Sequence, residues 1–516
     1  RRPGRAEPRP GWPPEPRLRA IIPPYTRLAD GASSGMAKIA DGVADSFGDE
    51  KHYFSRGPAH VSSDAAWISV AGFYLLLPLN IMMVLLGAFL DPLYRWYCSI
   101  ALLSTQSGRP LYLAWIWWWY QPAAAIRLIR AKKSRFQMFS DSRKCMGDGD
   151  WWWHGQGAWN CPYQQVRATM ASDQMRKQAF GAVETCVPEL FPGKMLLFVD
   201  GEEWRVVRGS VETNMTDESR WAARAADLPS VLAVLAPKPC NLGTLTKVHT
   251  DKMVATAVWY LIFGVQLTDA QAATAAKWGA SGIAGYFIFP RLIHRIAFNL
   301  LLGKVKQLRK DTIGIVRAHG LEAWFEQQNR DLPAAYQRES ALALCDEMMY
   351  GVNFAGVGGT CHGCWGTLQF MRRSTVDVPS NVIQYPEGSM TELYKYNPTA
   401  FIKEAVRLDA PVTSATCAFR EEHEVAFDVA CCGGQAREHS LNAGTLHQYV
   451  LSIANRAPSQ FEQPEAFNPA RPNLDDMLSW NGTVAGGSAE FPRFCPGHKL
   501  SLAVIQAICG LLEEVA

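Results

Sequence analysis

The stretch FPRFCPG, Phe491 to Gly497, places a single cysteine, Cys495, in a short loop bounded by proline and glycine. The apolar run HKLSLAVIQAICGLLEEV follows at once and predicts a helix. This position makes Cys495 a candidate axial metal ligand. A buried structural thiol is the alternative, because free cysteine is among the most buried residue types.

Three charged residues upstream form a second pattern. Glu404 and Arg407 stand three residues apart in FIKEAVRLDAPV, and therefore lie on one face of a predicted helix. Arg471 ends the segment PEAFNPAR, which lies between that helix and the Cys495 loop. In this order, the Glu-x-x-Arg helix, the Pro-Glu-x-Phe segment with its arginine, and the cysteine loop resemble the cytochrome P-450 superfamily, over roughly residues 160 to 516.

This resemblance implies a mainly α fold with small β-sheets, the cytochrome P-450 fold, and a haem b (iron protoporphyrin IX) whose iron is bound by the Cys495 thiolate. It also implies that Arg493 neutralises a haem propionate and that Gly497 lets the loop turn into the following helix. Trp204 and Arg208, on one face of the helix in FVDGEEWRVVR, are expected to meet a propionate, which suits the planar guanidinium.

The resemblance gives Glu404, Arg407 and Arg471 a structural role, as a buried network in the haem-side core. A buried charge without a partner is expensive. We therefore expect the three side chains to meet.

The run ALALCDEMMYGVNFAGVGGTCHGCW, residues 341–365, resembles the long central helix of the superfamily. When that helix is aligned on Thr360, Gly359 takes the place of the acid that relays protons in a monooxygenase, which weakens the monooxygenase interpretation. VNFAGVGG also resembles the allene oxide synthase and hydroperoxide lyase branch, in which an asparagine handles the peroxide oxygens. The aligned position here is Ala355, and the nearest asparagine is Asn353. Thr360, Gly359 and Asn353 are the candidate catalytic residues.

Gly356, Gly358 and Gly359 each cost roughly 0.8–1 kcal/mol against alanine in an exposed helix. We expect the helix backbone to pass close to a ligand at these glycines.

Two departures precede Cys495. Ser488 and Phe491 stand where the superfamily has Phe and Gly. The turn SWNG, residues 479–482, is followed by a long insert before the cysteine, as in the hydroperoxide branch.

Composition limits the class of protein. The 516 residues are 48% hydrophobic and 19% charged, which is typical of a globular chain with a membrane contribution. A net charge of +3 argues against a nucleic-acid partner. Thirteen cysteines are too dilute for a disulfide scaffold, which favours reduced, buried thiols.

The N-terminal region differs from the rest. Residues 1–60 begin with a Pro/Arg-rich stretch that cannot bury enough apolar surface to fold, so we expect a disordered arm and linker. Residues 61–135 are expected to anchor the protein in a membrane of the endoplasmic reticulum, a plastid or a mitochondrion. The uncharged residues 65–90 are long enough to cross a ~30 Å hydrocarbon core. A buried core helix is the alternative.

A second apolar run, residues 111–126, is rich in tryptophan and precedes a basic cluster, which indicates an interfacial helix or the return limb of a hairpin. A solvated basic face on a soluble helix is the alternative. We expect residues 136–160 to be a linker or the entry to the soluble domain, because they are Gly- and Trp-rich without a clear period, and residues 161–516 to form the haem-thiolate domain.

These patterns favour a membrane-anchored haem-thiolate enzyme that rearranges or cleaves fatty-acid hydroperoxides without a reductase. One alternative is a monooxygenase of a lipophilic substrate that uses Thr360, dioxygen and an external reductase. The other is a haem-binding or degenerate structural subunit whose N-terminal arm contacts other subunits of a membrane assembly.

Overall fold

The computed structural model describes most of the chain from residue 77 onward. The described residues are 47–48, 77–106, 123, 126–127, 135–145, 147–154, 157–172, 175–176, 195–197, 199–279, 291–373, 389–419, 421–428, 436–441 and 446–515. All of the described residues belong to one compact unit, Ser46–Ala516. The predicted arm over residues 1–60 lies outside the described residues, except for 47–48.

Two consecutive helices open the main described part. α1 spans Leu77–Phe89 and α2 spans Asp91–Gln106. α1 falls within the predicted 65–90 membrane span, whose earlier part lies outside the described residues. In the part of the chain that the structure describes, no helix combines the length and the apolar character needed to cross a membrane. The second apolar run, 111–126, is described at two positions only.

The large apolar side chains of α1 are exposed. They are Leu79, Ile81, Met82, Leu85, Leu86 and Phe89, with exposed fractions of 40% to 57%. The sequence of α1, LPLNIMMVLLGAF, has no charged residue. A buried core helix, the alternative considered for this segment, does not fit these exposures.

Seven strands form one sheet. They are β1 Trp151–His154, β2 Gly157–Asn160, β3 Met175–Arg176, β4 Ala415–Phe419, β5 His423–Asp428, β6 Ala436–Leu441 and β7 Leu446–Tyr449. Their order is β3-β4-β7-β2-β1-β5-β6. β1 and β2 form an antiparallel hairpin, while β1 pairs in parallel with β5 and β2 in parallel with β7. The hairpin therefore joins the C-terminal strands into one sheet.

Residues 136–160, predicted to be a linker, are instead part of the fold. α3 spans Arg135–Cys145, and the β1–β2 hairpin stands inside the sheet. Trp152 and Trp159 face each other across the hairpin, are 1% and 3% exposed, and have ring centroids 5.9 Å apart. Strands of four residues are too short to show a clear period, so composition alone gave the wrong assignment.

A small second core lies where α2, α3 and the sheet meet. Its buried side chains include Tyr94, Cys98, Phe139, Trp152, Trp159, Val425 and Leu441. The helices after the first apolar segment are thus packed on the same sheet as the C-terminal strands.

Among the described residues, seven helices lie between the β1–β2 hairpin and the central helix. They are α4 Tyr163–Ala171, α5 Gly201–Val211, α6 Glu218–Ala233, α7 Lys247–Phe263, α8 Asp269–Ala276, α9 Arg291–Ala318 and α10 Glu322–Asp331. A π-helical segment, Glu212–Thr216, lies between α5 and α6. α7 begins with a capping box at Thr246 and ends at Gly264, whose φ of +73° closes the helix in the left-handed conformation. α7 is therefore bounded by local signals and buried along most of its length.

A continuous helical run passes through the main core. It consists of α11 Ala341–Tyr350, a π-helical segment Gly351–Val357, and α12 Gly358–Met371. Every residue of α11 is buried. The long central helix predicted over residues 341–365 is present, with a π-helical segment in its middle, and such segments are frequent at functional sites.

The remaining elements carry the cysteine loop. They are α13 Met390–Tyr396, α14 Pro398–Leu408, α15 Leu451–Ala454, a 3₁₀ turn Leu474–Asp476, α16 Gly487–Glu490 and α17 His498–Cys509. α17 packs against α7 and α12. At Gly363 of α12 a Cβ atom would lie 3.3 Å from Cδ1 of Ile505, so the two helices approach closely there. The architecture is mainly helical with a small β component, as the sequence analysis predicted.

Candidate functional site

Cys495 lies half-buried in the loop between α16 and α17. Its N–H donates to the carbonyl of Trp480 at 2.7 Å, and Arg208 donates to the carbonyl of the preceding Phe494. Burial raises the pKa of the Cys495 thiol above its ordinary value, while the amide of Gly497 and the charge of Arg208 act in the opposite direction. Both of these groups favour the thiolate, and a bound metal ion would add to them.

Two glycines make room for Phe491, the residue that departs from the superfamily pattern. Phe491 is fully buried. A Cβ atom on Gly482 would lie 2.7 Å from its ring, and one on Gly486 would lie 2.6 Å from it. Ser488, the other departure, is exposed. Phe491, four residues before Cys495, is therefore packed into the core by these two glycines.

Two arginines stack against one tryptophan beside this loop. The guanidinium carbon of Arg493 lies 4.8 Å from the ring centroid of Trp204, and that of Arg208 lies 5.8 Å from it. Arg493 also pairs with Asp200, and Arg208 pairs with Glu212 at 2.6 Å. Trp204, Arg208 and Arg493, predicted separately from sequence, thus come together, and two carboxylates that the sequence analysis missed accompany them.

Glu404, Arg407 and Arg471 meet in a buried network. Arg407 donates to both carboxylate oxygens of Glu404, from Nε at 2.7 Å and from Nη2 at 2.8 Å. Arg471 Nε donates to Oε1 of the same carboxylate at 3.0 Å, and the backbone N–H of Asn468 donates to that oxygen at 2.8 Å. Glu404 and Arg407 are completely buried and Arg471 is nearly so.

The outer nitrogens of both arginines bind backbone carbonyls. Arg407 Nη1 donates to Asn455 at 2.7 Å and to Pro464 at 2.9 Å. Arg471 Nη2 donates to Gln463 at 2.7 Å. The network therefore fixes the irregular chain before the cysteine loop to α14.

We expect Glu404→Ala to lower the free energy of unfolding by about 3–5 kcal/mol, because it leaves two arginines buried without their carboxylate. Urea unfolding measures this loss. Glu465→Ala is the matched control, since Glu465 pairs with Arg456 at 3.0 Å but is 65% exposed, and we expect a loss below about 1 kcal/mol. Equal losses in the two variants would contradict the role assigned to the buried network.

One face of the central helix borders open space. Ala355 is exposed, although the helical run around it is largely buried. Gly356 and Gly359 are half-buried, and a Cβ atom on either would meet nothing within 4 Å. Thr360, next to this face, is 5% exposed. The middle of the helix therefore offers room for a ligand at Ala355, Gly356 and Gly359.

Asn353 lies away from this space. It is fully buried, its Oδ1 accepts from Trp259 Nε1 at 3.0 Å, and its Nδ2 donates to Thr312 Oγ1 at 3.4 Å. Trp278 Nε1 donates to the same hydroxyl at 3.0 Å. These bonds join the central helix to α7 and α9, and the residue that borders the open space is Ala355.

The three glycines of the central helix have different surroundings. At Gly358 a Cβ atom would lie 3.3 Å from the Cα atom of Gly279, just after α8. The close approach at Gly358 is therefore to a neighbouring backbone. Gly356 and Gly359 remain the positions where a ligand can approach the helix.

No group of three or more His, Cys, Asp or Glu side chains among the described residues could hold a metal ion. No family model matches the chain, and no curated protein matches it. Among solved structures, epothilone B-bound cytochrome P450epoK matches with a TM-score of 0.52 and 16% sequence identity, over 72% of this chain and 87% of its own. The chain has the cytochrome P450 fold.

Two further cytochrome P450 structures are similar. They are CYP109Q5 from Chondromyces apiculatus (TM-score 0.49, 15% identity, 73% of this chain and 87% of that one) and CYP109B1 from Bacillus subtilis (TM-score 0.49, 15% identity, 74% and 91%). The match to cytochrome P450epoK confirms the fold expected from the sequence motifs.

Within this cytochrome P450 fold, Cys495, Gly497, Arg493, Arg208 and Trp204 converge on one loop. The residues of this site that sequence reasoning missed are far along the chain from the residues that they contact. Asp200 binds Arg493 across 293 residues, and no local spacing reveals such a pair. Gly482 and Gly486 could have been found only from the size of Phe491, which they accommodate.

Proposed function

We propose that the protein is a haem-thiolate enzyme that rearranges or cleaves fatty-acid hydroperoxides without a reductase. Thiolate-bound haem supplies the iron at which an O–O bond is cleaved. The residues present fit this cofactor. Cys495 offers a thiol in the loop just before α17, and Arg208 and Arg493 offer two planar guanidinium groups, which suit carboxylates such as the haem propionates.

The open face of the central helix is the observation that favours the hydroperoxide reaction over dioxygen activation. The residues that border the open space are Ala355, Gly356 and Gly359, which are all small and apolar. None of them is an acid or bears a hydroxyl group. Activating dioxygen requires protons delivered by positioned groups, whereas a hydroperoxide brings its own O–O bond. The apolar character of this face also suits a fatty substrate.

A dioxygen-dependent monooxygenase with an external reductase is the second candidate. The observation that favours it is the position of Thr360, which is directly next to Gly359 and nearly buried. Its hydroxyl is the nearest in sequence to the open face on the C-terminal side. This candidate requires Thr360, and the hydroperoxide reaction does not.

The purified full chain loaded with haem should consume a polyunsaturated fatty-acid hydroperoxide without NADPH or reductase. We expect Cys495→Ser to abolish turnover, because the thiolate ligand is lost. Thr360→Ala should leave turnover within about twofold, since the substrate supplies its own oxygen atoms. Turnover that requires NADPH, a reductase and Thr360 would select the monooxygenase instead.

The open face and the buried asparagine should respond differently to substitution. Ala355→Phe should raise KM for the hydroperoxide at least tenfold and leave the unfolding free energy within roughly 0.5 kcal/mol, because it fills open space at a surface-like position. Asn353→Ala should lower the unfolding free energy by about 1–3 kcal/mol, because the buried Trp259 and Thr312 lose their partner. Kinetics and urea unfolding of both variants check this, and a stability loss confined to Ala355→Phe would contradict it.

Membrane association through α1 is part of the proposal. The uncharged helix exposes a row of large apolar side chains, and such a surface suits a lipid interface. Ile81, Leu85 and Phe89 recur every four residues and so share one face of the helix.

Replacing Ile81, Leu85 and Phe89 together by serine should weaken binding to phosphatidylcholine vesicles about a hundredfold, since each is half-exposed and would lose roughly 1 kcal/mol of apolar burial. Vesicle flotation of the full chain measures this. The matched control replaces three exposed valines elsewhere, Val234, Val248 and Val412, by serine and should bind as the unmodified chain does. Equal weakening in both variants would argue against α1 as the membrane contact.

A further inference from the structure

The turn formed by residues 479–482 has an unusual backbone. Ser479 and Gly482 exchange two backbone hydrogen bonds, both of 3.0 Å. The two residues between them, Trp480 and Asn481, have φ values of +50° and +59°. Positive φ is uncommon for residues other than glycine, although asparagine tolerates it better than most. Two such residues in succession indicate a turn that tertiary contacts hold in place.

The side chain of Asn481 connects two separate parts of the fold. Its Oδ1 accepts from the hydroxyl of Tyr449 at 2.8 Å, and its Nδ2 donates to the carbonyl of Arg493 at 2.9 Å. Tyr449 is fully buried at the end of β7. Arg493 lies two residues before Cys495. Asn481 therefore ties the cysteine loop to the sheet.

The neighbouring Trp480 contacts Cys495 itself and the helix that follows it. Its carbonyl accepts from the N–H of Cys495 at 2.7 Å, and its indole N–H donates to Ser501 Oγ at 3.2 Å, inside α17. Its ring lies 6.4 Å from that of His498, in an edge-to-face arrangement. The turn thus contacts the loop before Cys495, at Cys495 and in the helix that follows.

We infer that Asn481 is a positioning residue for the Cys495 thiolate. Asn481 makes no contact with the sulfur that would let it act directly. It fixes the Arg493 carbonyl, and that peptide unit sets both the path of the chain into Cys495 and the origin of the Arg493 side chain, which reaches Asp200 and Trp204. The side-chain amide of Asn481 therefore positions both the Cys495 thiol and the Arg493 side chain. The inference rests on the proposed haem-thiolate function.

Three substitutions separate the two bonds of Asn481 from its backbone conformation. Asn481→Gly keeps a residue that adopts positive φ without strain, so its effect reports the loss of the side chain alone. Asn481→Asp still accepts from Tyr449 but cannot donate to the Arg493 carbonyl. Tyr449→Phe removes only the bond from the sheet. Asn241→Gly is the matched control, because Asn241 is also half-buried and its Oδ1 also accepts hydrogen bonds, from the N–H groups of Gly243 and Thr244 and from the Thr244 hydroxyl.

The test uses the haem-loaded full chain and two readouts. The first is the fraction of the reduced, carbon-monoxide-bound protein that shows the thiolate type of Soret band. The second is the rate of tryptic cleavage after Arg493, which reports opening of the loop. We expect Asn481→Gly and Asn481→Asp to lower the thiolate fraction at least twofold and to speed cleavage roughly 5- to 30-fold, the effect of one or two lost hydrogen bonds.

Tyr449→Phe should give a smaller change of the same sign. Combining Tyr449→Phe with Asn481→Gly should add nothing, because both bonds belong to the same side chain. Asn241→Gly should leave both readouts unchanged even where it lowers the melting temperature, which separates positioning from general stability.

Thiolate fractions and cleavage rates like those of the unmodified chain in both Asn481 variants would overturn the inference. If Asn481→Gly fails to fold, Asn481→Asp and Tyr449→Phe still decide it. If the unmodified chain lacks the thiolate band altogether, the proposed function fails. The cleavage rates would then decide whether Asn481 positions the loop, with equal rates in the Asn481 and Asn241 variants counting against it.

Discussion

The burial of one carboxylate, Glu404, is the constraint on which the cysteine side of the fold depends. A completely buried charge must be paired, and Arg407 pairs with it while also donating to the carbonyl of Asn455. The side chain of Asn455 in turn holds both backbone groups of Leu478, at 2.7 Å and 2.9 Å. The turn that bonds to Cys495 begins at the next residue. Hydrogen bonds, together with the short segment from Leu478 to Trp480, therefore connect the helix α14 to the candidate metal ligand.

This arrangement explains which parts of the site could be predicted from sequence. Glu404 and Arg407 are three residues apart on one helix, and this spacing is part of the resemblance to the cytochrome P-450 superfamily that implied their structural role. The glycine that accommodates Phe491 is different. Gly482 is nine residues away in an irregular segment, and only the three-dimensional contact relates the two. Residues that fit each other in size across a loop show no periodic pattern in the sequence. A departure such as Phe491 can therefore be noticed in the sequence, while the glycine that makes room for it cannot.

The central helix shows a second limit of prediction from sequence. The helix itself was predictable from its long apolar run, and Gly356 and Gly359 were expected to approach a ligand, but the burial of Asn353 was not predictable. The segment Gly351–Val357 is π-helical, with hydrogen bonds between residues five apart, so side chains rotate away from the faces that a period of 3.6 predicts. Asn353 consequently turns into the core and Ala355 turns out of it. A polar residue in a sequence draws attention as a catalytic candidate, although here the buried indole of Trp259 accounts for it.

The charges around Cys495 decide what the loop can accept. Arg208 is paired with Glu212, and Arg493 is paired with Asp200. A ligand with two carboxylates must therefore displace both of these carboxylates from the arginines. Glu212 is 46% exposed and can be released into water at little cost. Asp200 is nearly buried, but it stands at the N-cap of α5, where a carboxylate can accept from first-turn amides, and it makes no such bond while it is paired with Arg493. Each carboxylate therefore has an alternative environment, water for Glu212 and the first-turn amides of α5 for Asp200. The two arginines can then pair with the carboxylates of a dianionic cofactor, and no buried charge is left unpaired.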